Sequence, residues 1–156
     1  RDLRMSRGLG DVYKRQEELQ VLDLMASSAK PPETSPVTTP EQVAASRDLV
    51  NQIYIDDAVR GYIVDLVRAT RFPETVDVKL RGLIRAGASP RATINLALAA
   101  RANAFMHHRS FVTPQDIKDL AHDILRHRIL LSYEAEAENI STDDVIDHIL
   151  TKVPVP

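Results

Sequence analysis

Three times in this sequence a hydroxyl residue is followed by proline and then by apolar residues at helical spacing: Thr39-Pro40, Ser89-Pro90 and Thr113-Pro114. Proline loses nothing at the first helical position, since N–H groups of the first turn have no partner inside the helix. A preceding Ser or Thr can accept from one of them. Each pair predicts a helix start, so the chain is constrained to separately begun helices. Thr39 with Gln42 reads as a capping box for a helix to about Asn51. Asp56 begins a second, whose Val59, Tyr62, Ile63, Leu66 and Val67 form one stripe ending before Pro73. Ser89-Pro90 opens a third, with Ile94, Ala97, Leu98, Ala102, Phe105 and Met106 expected on its buried face. Six alanines between Ala92 and Ala104 favour helix and permit a close partner. Thr113-Pro114 opens a fourth, with Ile117, Leu120, Ala121, Ile124 and Leu125 inward, and Thr142 is expected to cap a last one carrying Val145, Ile146, Ile149 and Leu150.

The connections are short. Ile53-Tyr54-Ile55 reads as an extended link, and 75–86 as one or two turns around Leu80, Leu83 and Ile84. Gly87 reads as a break, His127 to Leu131 as a short strand or extended run because Ile129-Leu130-Leu131 has no polar break, and Glu134, Glu136 and Glu138 as an acidic surface. The fold class is all-α: a small bundle of four helices around one core, with an extra C-terminal helix. At 156 residues one domain is expected, burying roughly two thirds of its unfolded surface.

Residues 1–16 stand apart. They carry Arg1, Arg4, Arg7, Lys14 and Arg15 without any apolar period, and Gly8 to Gln16 resembles translated adapter sequence, so this tail reads as non-native or disordered. Residues 17–38 read as a short helix with Leu19, Leu22 and Met25, then a linker holding Pro31, Pro32 and Pro36. The helical body is expected over 39–131 and a C-terminal extension over 132–156. The natural protein is expected to be longer.

Composition removes several functions. Without cysteine there is no disulfide, thiolate ligand or cysteine nucleophile. Aromatic residues at 4%, with no Trp, supply no stacking platform for single-stranded nucleic acid, and a net charge of −2 gives no bulk attraction to phosphate backbones. No apolar run reaches the roughly 18 residues of a membrane span and no leader pattern is visible, so a cytoplasmic protein is expected, with neither membrane nor nucleic acid as partner. Phosphate-loop, dinucleotide, zinc-protease and nucleophile-elbow motifs are all missing, so this stretch alone is not expected to turn over a substrate. His107-His108 reads as a helix C-cap. His122 and His127, five apart, do not share a helical face, and no metal site is expected.

One residue is left over. In Gly87-Ala88-Ser89-Pro90-Arg91-Ala92-Thr93, glycine breaks, serine caps and proline begins the helix, but a cation in the first turn opposes the helix dipole. Arg91 makes sense there if an anion binds, because first-turn N–H groups, dipole and guanidinium fork then converge on one phosphate. The surrounding stretch is basic: Arg60, Arg68, Arg71, Lys79, Arg81, Arg85, Arg91, Arg101 and Arg109 outnumber Asp57, Asp65, Glu74 and Asp77, as a solvated face or a phosphate-facing one.

The Gly-Ala-Ser-Pro-Arg-Ala segment, followed by Val112-Thr113-Pro114-Gln115-Asp116-Ile117 and by Ile124 to Ile129, resembles the helical lid of MoxR-type AAA+ ATPases. So do Ile53 to Asp56, Tyr62 to Arg71, and the ending from Ser141 to Pro156. The resemblance covers Glu17 to Pro156 in the family's order. It implies that Arg91 is the sensor 2 arginine, reaching the γ-phosphate of ATP on a neighbouring α/β core, with Ser89 and Pro90 beside it. It implies ATP and Mg2+ as cofactors of the longer parent, none being held by this stretch alone. It also implies a ring, commonly hexameric, with the chain's own core and adjacent subunits as partners, chaperone-like remodelling or maturation of client proteins, and a von Willebrand factor A-domain protein as further partner. The competing reading is a non-enzymatic helical module, DNA-binding or scaffolding, with Thr113-Pro114 opening a helix-turn-helix-like element. Gln115, Asp116, Lys118 and Asp119 give that element no net positive charge.

Overall fold

The computed structural model describes Leu19, Gln20, Leu22, Asp23, Ala26 and the continuous stretch 34–156. The expected basic tail therefore lies outside the described residues. So does most of the expected short helix, of which Leu19, Gln20, Leu22 and Asp23 have helical backbone. The chain divides into two units, residues 1–39 and 40–156. In the second, six helices are described: α1 (Pro40–Gln52), α2 (Asp57–Arg71), α3 (Pro90–Met106), α4 (Pro114–Leu125), α5 (Tyr133–Ala137) and α6 (Thr142–Lys152). Two short strands, β1 (Ile84–Ala86) and β2 (Leu130–Leu131), pair antiparallel.

Helix α2 forms as its pattern dictates. The Asp56 carboxylate accepts from Ala58 N at 2.8 Å, and Val59, Tyr62, Ile63, Leu66 and Val67 are all buried. Helix α4 begins with a full capping box: Thr113 accepts from Asp116 N and the Asp116 carboxylate accepts from Thr113 N. Helix α6 has the same device one residue earlier than expected. Ser141, not Thr142, is the cap, and Asp144 closes the box. Val145, Ile146 and Ile149 are each buried, at about 1.5–3 kcal/mol per side chain, which makes α6 part of the common core.

On α3 the expected buried stripe is met only in part: Ala97 and Phe105 are half-buried against the core, but its other large residues are not. Ile94 and Met106 are 59% and 75% exposed and Leu98 is also exposed, while Ala92, Leu96, Ala100 and Ala104 are buried. The buried face is the small-residue row at every fourth position, where three methyl groups let neighbouring helices approach and a single leucine fills the space between. Size outweighed hydrophobicity in choosing the face. Helix α1 contributes no buried residue, so the core is lined by α2, α3, α4 and α6.

Between α2 and α3 lie two single turns, Pro73–Thr75 and Val78–Leu80, then β1, where turns alone were expected. Ile53 and Ile55 are buried on either side of Tyr54, which bridges to Phe111 through Tyr54 N to Ser110 O and Val112 N to Tyr54 O, both 3.0 Å.

Among the described residues one buried side-chain polar atom has no partner: the Tyr62 hydroxyl, on a residue 2% exposed. Burial pushes this phenol above its ordinary value. An unpaired buried hydroxyl costs about 1–3 kcal/mol, so Tyr62→Phe is expected to hold or raise the unfolding midpoint in urea. A clear loss in that variant would mean that the hydroxyl is paired in solution.

Candidate functional site

The start of α3 is set by the end of α2. At Gly87 a Cβ would lie 2.2 Å from Thr70 O and 2.7 Å from Arg71 N, so only glycine lets the chain pass this close. The Thr70 side chain, fully buried, donates to Val67 O at 2.7 Å and accepts from Ala88 N at 2.9 Å. Gly87 lies in the break between β1 and α3 and is also a point of close approach. Ser89 stands at the N-cap position and Pro90 at the first helical position, as the sequence predicts, but the Ser89 side chain caps nothing. By contrast α2, α4, α5 and α6 each have a side-chain cap.

Arg91 follows, exposed, with no ion pair or hydrogen bond to any described residue. Its exposed neighbours on the same helix face are Ile94 and Leu98, three and seven residues on. A free guanidinium, an uncapped helix start and a serine hydroxyl with no intramolecular partner form an arrangement that fits a phosphate group.

The basic stretch, read as one surface, is partly dissolved. Arg109 donates to both oxygens of Asp116, Arg101 Nε donates to Ile53 O at 3.1 Å, and Arg60 pairs with Asp57 at 3.1 Å. Arg68 lies over the Phe72 ring, 5.9 Å from its centroid. Arg71, Arg81, Arg85 and Arg91 remain exposed.

Asp116 is the structural hub that sequence reasoning missed. It is 2% exposed and accepts from Arg109 at 2.7 and 2.5 Å, from Thr113 N and Oγ1 at 2.8 Å each, and from Asn103 Nδ2 at 2.7 Å. Burial alone would raise its pKa, but the Arg109, Thr113 and Asn103 bonds outweigh that and hold the carboxyl well below the usual carboxylate range. The signal was its place three residues after the Thr113 cap, with Arg109 just upstream. With Asp116 turned inward and Gln115 bonded to Asp119 at 2.6 Å, the start of α4 does not present a recognition face.

The histidines act as ties. His107 Nδ1 donates to Asn103 O at 2.8 Å at the end of α3, and His108 takes the left-handed conformation (φ 55°) that closes the helix. His122 pairs with Asp147 and His148 with Asp77, each at 2.9 Å, fastening α6 to α4 and to the second turn. Arg126 bonds Asp143 at 2.6 Å and joins the end of α4 to the start of α6. Among the described residues no three His, Asp or Glu side chains gather where they could hold a metal ion. A groove of about 560 Å3 mixes Lys79 and Arg81 with Glu134 and Glu138 and does not include Arg91.

Residues 81–149 match the AAA lid domain family. The chain is 32% identical over 142 residues to the chaperone MoxR1 of Mycobacterium tuberculosis, covering 90% of this chain and 37% of that protein. It is 37% identical over 146 residues to YeaC of Bacillus subtilis, covering 90% and 41%. A solved structure from Cytophaga hutchinsonii, described as a candidate ATPase, superposes with a TM-score of 0.87 at 40% identity, covering 92% of this chain and 44% of that one. The chain thus spans about two fifths of the length of the curated relatives it matches.

Proposed function

The chain carries the AAA lid domain of the MoxR family, and we propose that it works as the sensor 2 lid of a longer ATP-hydrolysing protein. The observation that carries this reading is Arg91, exposed and unpaired at a helix start that its own serine leaves uncapped. Arginine stays protonated at any working pH and its planar fork fits phosphate oxygens in a bidentate way. Pro90 fixes the entry angle of the helix, and Ser89 Oγ is available as a second donor. ATP with Mg2+, held on the core of the parent, supplies the phosphate chain and the free energy of its hydrolysis. The part of this chain is to hold one cation at the terminal phosphate and to be released when that phosphate leaves, so that lid and core change their angle.

In this reading the parent assembles as a ring, commonly a hexamer, in which the lid also meets the adjacent subunit. The ring remodels or matures client proteins in the manner suggested by the name of its MoxR1 relative, with a von Willebrand factor A-domain protein as partner. Arg91→Ala in the full-length protein is expected to lower the ATP turnover number roughly ten- to a hundredfold, the worth of a hydrogen bond to a charged group. The thermal midpoint should stay put, since the side chain is exposed and makes no hydrogen bond or ion pair with any described residue. An unaltered turnover sinks the assignment.

A further inference from the structure

The first turn of α3 is not held by its own cap, so something else must fix where Arg91 stands. We infer that Thr70, buried at the end of α2, is the positioning residue for Arg91: its hydroxyl grips Ala88 N while Gly87 lies flat on the α2 backbone, so the sensor helix starts from α2 rather than from its own N-cap. The chain of contacts is short. Val67 O accepts from Thr70 Oγ1 at 2.7 Å, Thr70 Oγ1 accepts from Ala88 N at 2.9 Å, and Arg91 is three residues further on. Both Thr70 and Ala88 are fully buried, so water does not compete for the bond.

A threonine hydroxyl in a helix commonly bonds back to a carbonyl in the preceding turn and stops there. Here it serves two elements at once, spending its one proton on Val67 and its lone pair on Ala88. The Gly87 approach removes slack in the direction the hydrogen bond leaves open, since Thr70 O and Arg71 N block any advance of the loop. Movement of Arg91 along the axis of α3 therefore has to pull on the last turn of α2. This inference rests on the sensor 2 reading of Arg91.

The test uses the full-length protein with Thr70→Val, Thr70→Ser, Arg91→Ala and the Thr70→Val/Arg91→Ala double variant. ATP turnover is measured together with the ratio of affinities for a non-hydrolysable ATP analogue and ADP. Thr70→Val keeps the shape and removes the hydroxyl, so a fall in turnover of about tenfold is expected, with the affinity ratio moving to that of Arg91→Ala. Thr70→Ser should restore both, and the double variant should be no slower than Arg91→Ala alone. A lowered thermal midpoint with turnover and affinity ratio intact shows Thr70 to be merely structural and overturns the inference. Multiplicative losses in the double variant overturn it as well. If Arg91→Ala is itself without effect, the sensor 2 reading fails first, and that outcome is distinct from the other two. Should Thr70→Val not fold, amide exchange at Ala88 in the unsubstituted protein decides. Slower exchange with the ATP analogue than with ADP is expected, and equal rates overturn the inference.

Discussion

Asp116→Ala is expected to destabilise the domain by about 3 kcal/mol, the lower end of the range for removing one partner of a buried ion pair. The lower end applies because Arg109, 29% exposed, can recover some water, whereas Asp116 at 2% exposure has none to lose. Three further groups lose their acceptor together: Thr113 N, Thr113 Oγ1 and Asn103 Nδ2. They come from both sides of the turn between α3 and α4, so the damage falls on the hairpin that carries Arg91. Asp116→Asn should cost nearly as much, since it keeps one acceptor oxygen but turns a donor toward the guanidinium. The acid dependence has a definite sign. The folded carboxyl titrates below its ordinary range, so the unfolded chain takes up this proton first as pH falls. Stability from Asp116 is fully present above about pH 4, the ordinary value for an aspartate, and is lost as pH falls from there toward the folded pKa. Asp77 adds to the same trend: the Lys79 amide, His148 and Lys152 hold its carboxyl well below the usual range. Urea midpoints at pH 7, 4 and 3 should therefore converge between the unsubstituted protein and Asp116→Asn. A gap that is constant across those pH values would show that Asp116 carries no depressed pKa.

What could be read from the sequence follows from which forces act locally. Caps and stripes are local, and α2, α4 and α6 came out with their inward faces as expected, because Val59 to Val67, Ile117 to Leu125 and Val145 to Ile149 alternate apolar and polar at the helical period. Helix α3 has apolar residues spread around its circumference with no single polar face, so its period could not choose a face, and the choice fell to how closely a neighbour can approach. That is a property of two helices at once. Of the strand pair, Leu130–Leu131 falls within the run read as a short strand or extended segment, but Ile84 to Ala86 is too short to announce itself without Leu130 and Leu131 opposite. Arg91 stood out in the sequence because a cation in the first turn conflicts with a local rule, and the structure places it there, exposed. Thr70 and Asp116 were not, since a hydroxyl or carboxylate acquires its role only from partners distant in sequence, Ala88 for one and Asn103 for the other.

Gly87→Ala is expected to cost about 3 kcal/mol, and the cause is the volume of one added carbon rather than backbone conformation. Three described glycines separate the reasons a glycine can be required. At Gly61, exposed inside α2, a Cβ meets nothing within 4 Å, so alanine improves helix propensity and Gly61→Ala should stabilise by about 0.5–1 kcal/mol. At Gly82 there is also space, but φ is +83°, so alanine should cost roughly 1–2 kcal/mol for the left-handed backbone. At Gly87 the added carbon would sit 2.2 Å from Thr70 O and 2.4 Å from Thr70 C, both main-chain atoms of a buried helix end. Neither can swing aside as a side chain would, so the loop must lift, and overpacking of this kind costs about 1–3 kcal/mol or more. Lifting the loop also stretches the 2.9 Å bond from Ala88 N to Thr70, which adds the penalty of an unmet buried donor and places the total at the upper end of that range. Chemical denaturation of the three single variants therefore has an expected order, Gly61→Ala above the unsubstituted protein, Gly82→Ala below it and Gly87→Ala lowest. A Gly87→Ala protein as stable as the original would mean that α2 and the start of α3 do not touch in solution, and α3 would then need another anchor for its first turn.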